Sequence, residues 1–166
     1  MSKTIYLIRH AKSDWSIPGQ PDFNRSLNHR GLLDAPLMGK VLKELQVSPE
    51  LILSSPAERA MRTAEFISEQ LNYPIEKIKF EEEIYEASPR TLLRLINNLD
   101  NSLSKIALFG HNPTFTYLAE YLSKEELGNI PTCGAVKIQF ELNEWAAISE
   151  GTGELIWFEY PKKYKD

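Results

Sequence analysis

The sequence predicts an α/β fold, a three-layer sandwich in which a mostly parallel central sheet carries helices on both faces. Three observations lead to it. Short apolar runs at Thr4–Ile8, Leu51–Leu53 and Lys105–Gly110 read as buried strands. Segments with helical periodicity and clear start signals lie between them. Helices alternating with short buried strands are what parallel crossovers require.

Taken in order, Thr4–Ile8 forms the first strand and ends at Arg9-His10. Trp15–Leu27 lacks periodicity, carries Pro18, Gly19 and Pro21, and reads as a loop. Asn28 then caps a helix to about Leu45, in which Gly31, Pro36 and Gly39 argue for some irregularity. Leu51–Leu53 is the second strand. Ser55 as cap, Pro56 at the first helical position and Glu58 three residues after the cap predict a helix reaching about Leu71. Ile78–Phe80 is a third strand, and Ser88-Pro89 opens a helix to about Leu99. Lys105–Gly110 delivers His111-Asn112-Pro113, with Asn112 as the cap of a helix to about Leu122. Val136–Leu142 and Leu155–Tyr160 alternate apolar and polar residues, as half-exposed strands do. Lys162, Lys163 and Lys165 read as a solvated tail.

Composition narrows the function. The chain has 166 residues, which fits one domain, 1–166, and at 42% hydrophobic it can build a core without disulfide or metal staples. A net charge of −4 gives no electrostatic support for nucleic acid. The N-terminus has no signal-peptide pattern, and no apolar run approaches the roughly 20 residues needed to span a bilayer. With Cys133 as the lone cysteine, a cytoplasmic setting without membrane contact is expected.

Three predicted strand ends carry chemistry: Arg9-His10, Ser54-Ser55 leading to Arg59 and Arg62, and His111-Asn112. Ligands of open parallel sheets bind beyond the carboxyl ends of the strands, so residues distant in sequence can converge there. Arginine stays charged and grips oxygens two at a time. A neutral imidazole is a competent nucleophile near neutral pH. Phosphoryl transfer needs mainly in-line positioning and charge stabilisation, which two histidines and two arginines can supply. No glycine-rich phosphate loop offers a nucleotide site instead.

Leu7-Ile8-Arg9-His10-Ala11-Lys12-Ser13 resembles the signature segment of the histidine phosphatase superfamily, with its phosphoglycerate-mutase-like fold. Ser54-Ser55-Pro56-Ala57-Glu58-Arg59-Ala60-Met61-Arg62-Thr63-Ala64 resembles its second motif, Gly110-His111-Asn112-Pro113 its third, and Asp22–Leu27 before Gly31 the loop entering the first long helix. Small size, Arg-His-Ala and the Arg25 segment are similar to the SixA-like branch, named for phosphohistidine phosphatases. The resemblance implies His10 as phospho-acceptor, Arg9 and Arg59 as phosphoryl clamps, and His111 as the group completing the pocket. It also implies that Arg25 reaches the same phosphate or the substrate, whereas Ser13 either bonds phosphate or orders its own loop. Two departures stand out. Ala11 replaces the usual glycine, and the family's acid segment is matched only by Ile84-Tyr85-Glu86-Ala87, without its glycine, which leaves Glu86 as candidate proton donor.

Other polar residues have blander readings. His29 and Glu81-Glu82-Glu83 are expected at the solvated surface, Arg62 in a salt bridge, and Cys133 as a small packed residue. The expected activity is a cofactor-free, metal-independent phosphatase acting through a phosphohistidine intermediate, on phosphohistidine in proteins. The alternatives are a small phosphomonoester as substrate, or a catalytically silent phosphate-binding module. Flanking arginines would repel a metal cation, and no His-Glu-x-x-His spacing occurs.

Overall fold

A computed structural model describes residues 2–165 of the chain. Its sheet is built from β1 (Lys3–Arg9), β2 (Leu51–Ser54), β3 (Lys79–Phe80), β4 (Lys105–Gly110), β5 (Ala135–Phe140) and β6 (Gly153–Glu159). Their spatial order is β3-β2-β4-β1-β5-β6. The pairs β3–β2, β2–β4 and β4–β1 are parallel, whereas β5 and β6 run antiparallel along the β1 edge. The longer helices are α1 (His29–Glu44), α2 (Glu58–Leu71), α3 (Pro89–Asn97) and α4 (Thr114–Ser123).

Strand side chains alternate between faces, and both faces of this sheet are apolar. Ile5, Leu7, Leu53, Ile106 and Leu108 pack under Leu92 and Ile96 of α3 and Phe115, Leu118 and Leu122 of α4. Tyr6, Ile8, Ile52, Ala107 and Phe109 pack against Ala35, Met38 and Leu42 of α1 and Ala64 and Ile67 of α2. The result is the three-layer α/β sandwich. Among the described residues, no helix is long and apolar enough to cross a membrane.

Register sets the position of the site. Arg9 pairs with Gly110 and Ser54 with Phe109, so β1, β2 and β4 end at one level. The ladder runs one step further, because the His10 N–H donates to the Gly110 carbonyl at 3.0 Å. From the other side, the Cys133 N–H donates to the His10 carbonyl at 2.9 Å. Gly31 lets α1 close on this loop: a Cβ there would lie 2.2 Å from the Lys12 carbonyl oxygen.

Asn28 caps α1 by accepting from the Gly31 N–H, Ser88 caps α3 by accepting from Thr91, and α1 runs unbroken through Pro36. Three expectations need correction. The second helix begins at Glu58, not Pro56, because the Ser55 hydroxyl accepts from the Ala57 N–H in a tighter turn and is also engaged by His111. Helix α4 begins at Thr114, although Asn112 does accept from the Thr116 N–H. The third concerns the C-terminal segment: its lysines are exposed, as expected of a solvated tail, but the segment is anchored. Pro161–Tyr164 forms a one-turn helix, and Lys165 pairs at 2.5 Å with Asp34, a carboxylate buried in α1.

Candidate active site

A pocket of about 320 Å³ lies over the ends of β1, β2 and β4. It is lined by Arg9, His10, Ser13, Arg25, Arg59, Glu86 and His111, all seven residues singled out in the sequence.

His10 is held most tightly. Its ring is buried, and Nδ1 lies 2.7 Å from the Ala11 carbonyl oxygen. A carbonyl can only accept, so Nδ1 carries the proton. Burial pushes the His10 pKa down to about 3, and the nearby His111, Arg59 and Arg9 add to the fall against the opposing Ala11 bond. The imidazole is therefore neutral at physiological pH, with its lone pair on Nε2. The His111 ring centroid lies 5.2 Å away. Burial, then the charge of Arg59, lowers the His111 pKa to about 4. Its Nε2 is 2.8 Å from Ser55 Oγ, which fixes the ring, and its buried Nδ1 has no partner in the protein.

Two arginines flank these rings. Arg9 donates from Nη1 to the Ile130 carbonyl at 2.9 Å, and its buried Nε is unpartnered. Arg59, on the first turn of α2, donates from Nη1 to the Asp22 carbonyl at 2.8 Å and from Nη2 to the Asp22 carboxylate at 3.0 Å. Its Nε is likewise buried and unpartnered. Buried donors without a protein acceptor suit a polyanionic ligand, because leaving them unmatched costs free energy. Arg25 donates to Ser13 Oγ and to Asp22, and Trp15 covers its guanidinium, whose carbon sits 3.5 Å from a ring centroid.

Sequence reasoning missed Asp22, Tyr85 and Thr63. Asp22 is the anionic hub of the pocket. Burial would raise its carboxyl, but hydrogen bonds from Arg25, Tyr85 and Arg59 outweigh that and hold it well below the usual carboxylate range. Tyr85 donates its hydroxyl to Asp22 at 2.8 Å and packs edge-on against His111. Thr63 accepts the Ala11 N–H at 2.9 Å and donates to the Arg59 carbonyl at 2.7 Å. Each lies inside a segment that carries the resemblance, as an acid three residues before Arg25, a tyrosine just before Glu86 and a small hydroxyl one turn after Arg59, but none has a role assigned by its spacing alone.

The blander readings hold where the structure describes them. Arg62 pairs with Glu65, His29 is exposed, and Cys133 is fully buried with its thiol pKa pushed up by burial. Among the described residues, no three His, Cys, Asp or Glu side chains gather in a group that could hold a metal ion.

The profile of the histidine phosphatase superfamily (branch 1) matches residues 5–88. A structure from Agrobacterium tumefaciens, provisionally assigned as the phosphohistidine phosphatase SixA, is 30% identical, with a TM-score of 0.81 over 96% of this chain and 98% of that one. A protein histidine phosphatase SixA complexed with tungstate shares the fold at 23% identity, with a TM-score of 0.79 over 98% of this chain and 99% of the other. An uncharacterized protein of Mycobacterium tuberculosis is 28% identical over 93% of this chain and its own full length. With three motifs at three aligned strand ends and a match over nearly its whole length, the chain belongs to the histidine phosphatase superfamily, among its SixA-like phosphatases.

Proposed function

We propose that this phosphatase acts without a metal, through a phosphohistidine formed on His10, and that its substrate is phosphohistidine in proteins. The observation that carries the reading is the Nδ1 contact of His10 with the Ala11 carbonyl. It leaves a neutral nucleophile, with Nε2 as the attacking atom, in a pocket bordered by guanidinium groups.

The chemistry follows from these groups. Nε2 attacks phosphorus in line, the bond to the leaving atom breaks, and its electron pair departs with that atom. The ring of phospho-His10 becomes cationic, and the Ala11 carbonyl stabilises its Nδ1–H. Arg9, Arg59 and His111 take up the charge that develops on the phosphoryl oxygens. Water then attacks the phosphorus, phosphate leaves, and the His10 imidazole is restored. Guanidinium groups supply the positive charge that a metal ion provides in other phosphatases. Arg25 and Ser13 bound the substrate side of the pocket.

Phosphohistidine is favoured by the Ile84-Tyr85-Glu86-Ala87 segment, which departs from the family's acid motif. Imidazole leaves phosphorus with far less protonation than an alkoxide needs. The resemblance to the Agrobacterium protein points the same way. One observation favours the second reading, a small phosphomonoester: Glu86 lines the pocket and could protonate an alkoxide. A cytoplasmic setting belongs to the proposal and is supported by the free thiol of Cys133.

A direct screen of phosphohistidine proteins against a panel of phosphometabolites tests the substrate. The expected outcome is faster turnover of phosphohistidine. A sugar phosphate hydrolysed faster would move the assignment to the small esters, and a failure to turn over even an aryl phosphate would leave a silent binding module.

A further inference from the structure

Asp22 collects donors from three separate segments. Its Oδ1 accepts from Arg25 Nε at 3.2 Å and Nη2 at 2.9 Å. Its Oδ2 accepts from Arg59 Nη2 at 3.0 Å and from the Tyr85 hydroxyl at 2.8 Å. Its main-chain carbonyl accepts from Arg59 Nη1 at 2.8 Å. The side chain is 49% exposed, so this anion stands in the pocket and not in the core.

Both terminal nitrogens of Arg59 therefore already give an N–H to Asp22, and the buried Nε has no acceptor. A guanidinium grips a tetrahedral anion through two adjacent donors. A phosphoryl group can grip the two terminal nitrogens together only by displacing Asp22 from at least one of them, and along the Nε edge it shares a terminal nitrogen with the carboxylate. The carboxylate also repels a dianion at any pH where the enzyme works, because its neighbours keep it ionised.

We propose that Asp22 is a tethered anion that holds the Arg59 fork between turnovers and competes with inorganic phosphate for it. The proposal rests on the reading that this pocket binds phosphoryl groups. Its consequence is that product phosphate is expelled by an internal competitor. A carboxylate that merely aimed the arginines would act in the opposite sense, and its loss would weaken anion binding.

Inorganic phosphate is the probe, measured by titration calorimetry and as a competitive inhibitor of p-nitrophenyl phosphate turnover. In Asp22→Asn, phosphate should bind about 10-fold tighter or more, the scale expected for removing a unit charge a few ångströms from an anion at intermediate dielectric. Asp22→Ser should tighten binding as well, and Asp22→Glu, which keeps the charge, should not. Tightening cannot result from simple damage to the fold. Unchanged or weaker phosphate binding in both uncharged variants would overturn the proposal. If no protein, wild type included, binds phosphate, the phosphoryl reading of the pocket fails with it.

Discussion

The Ala11 N–H donates to Thr63 Oγ1 at 2.9 Å, so the loop that follows His10 is fastened to the helix that carries Arg59. Thr63 is fully buried and passes its own proton to the Arg59 carbonyl. One hydroxyl thus couples the position of the nucleophile to that of the clamp. Thr63→Val keeps the shape and leaves the Ala11 N–H buried without an acceptor, which costs on the order of 1–3 kcal/mol. We expect a lower melting temperature and about a 10-fold lower kcat, with Thr63→Ser near wild type in both. Normal kcat in the valine variant would show that this tie is dispensable.

Arg59 makes its contacts through a planar fork, two nitrogens to Asp22 with a third buried beside them. A lysine keeps the charge and loses that geometry. Arg59→Lys should therefore lose on the order of 10²-fold in kcat/KM, close to the loss in Arg59→Ala. Near-normal steady-state rates for the lysine variant would remove Arg59 from the clamp.

Acid should unfold the protein early. The folded pKa values of His10 and His111, about 3 and about 4, lie below the ordinary 6.5 that both regain on unfolding. Between these limits the unfolded chain binds more protons than the native one, so stability falls as pH drops from about 6.5 towards 4. Urea unfolding across that range should give a declining free energy, and His111→Asn should flatten the decline. The same shift keeps the nucleophile neutral, so kcat/KM corrected for substrate ionisation should show no loss with a midpoint near 6.5. A histidine-like midpoint there would mean that His10 titrates normally.

Much of the site was legible because its residues stand where strands stop. Arg9-His10, Ser54-Ser55 and Gly110-His111 each follow a short apolar run, and aligned parallel strands bring such ends together. Periodicity also located the helices, although Ser55 misled the start of α2, because a hydroxyl claimed by His111 looks the same in sequence as a free cap. Asp22 was hidden for another reason. It sits in an aperiodic loop, and its partners lie as far off as Tyr85, at a spacing no local pattern encodes. Thr63 was hidden inside a regular helix, where a threonine reads as ordinary surface or core. The Asp34–Lys165 pair joins a helix interior to the chain's last turn, and nothing near either residue announces it.

Glu86 lines the pocket with its backbone in the left-handed region, φ 57°, a conformation that favours glycine. If phosphohistidine is the substrate, a proton from Glu86 adds little. Glu86→Gln should change turnover of phosphohistidine and aryl phosphates less than about 3-fold, whereas removing a working general acid costs roughly 10²-fold. A large loss confined to alkyl phosphates, together with fast wild-type hydrolysis of them, would make Glu86 the acid and a phosphomonoester the substrate.

In the proposed mechanism the phosphoryl group passes through His10 Nε2. Rapid quench of the enzyme during turnover of a ³²P-labelled aryl phosphate, followed by peptide mapping, tests it most directly. The expected result is an acid-labile, base-stable phosphate on the peptide carrying His10, absent from His10→Ala and formed fast enough to account for turnover. Label on another residue, or an intact intermediate in His10→Ala, would contradict it.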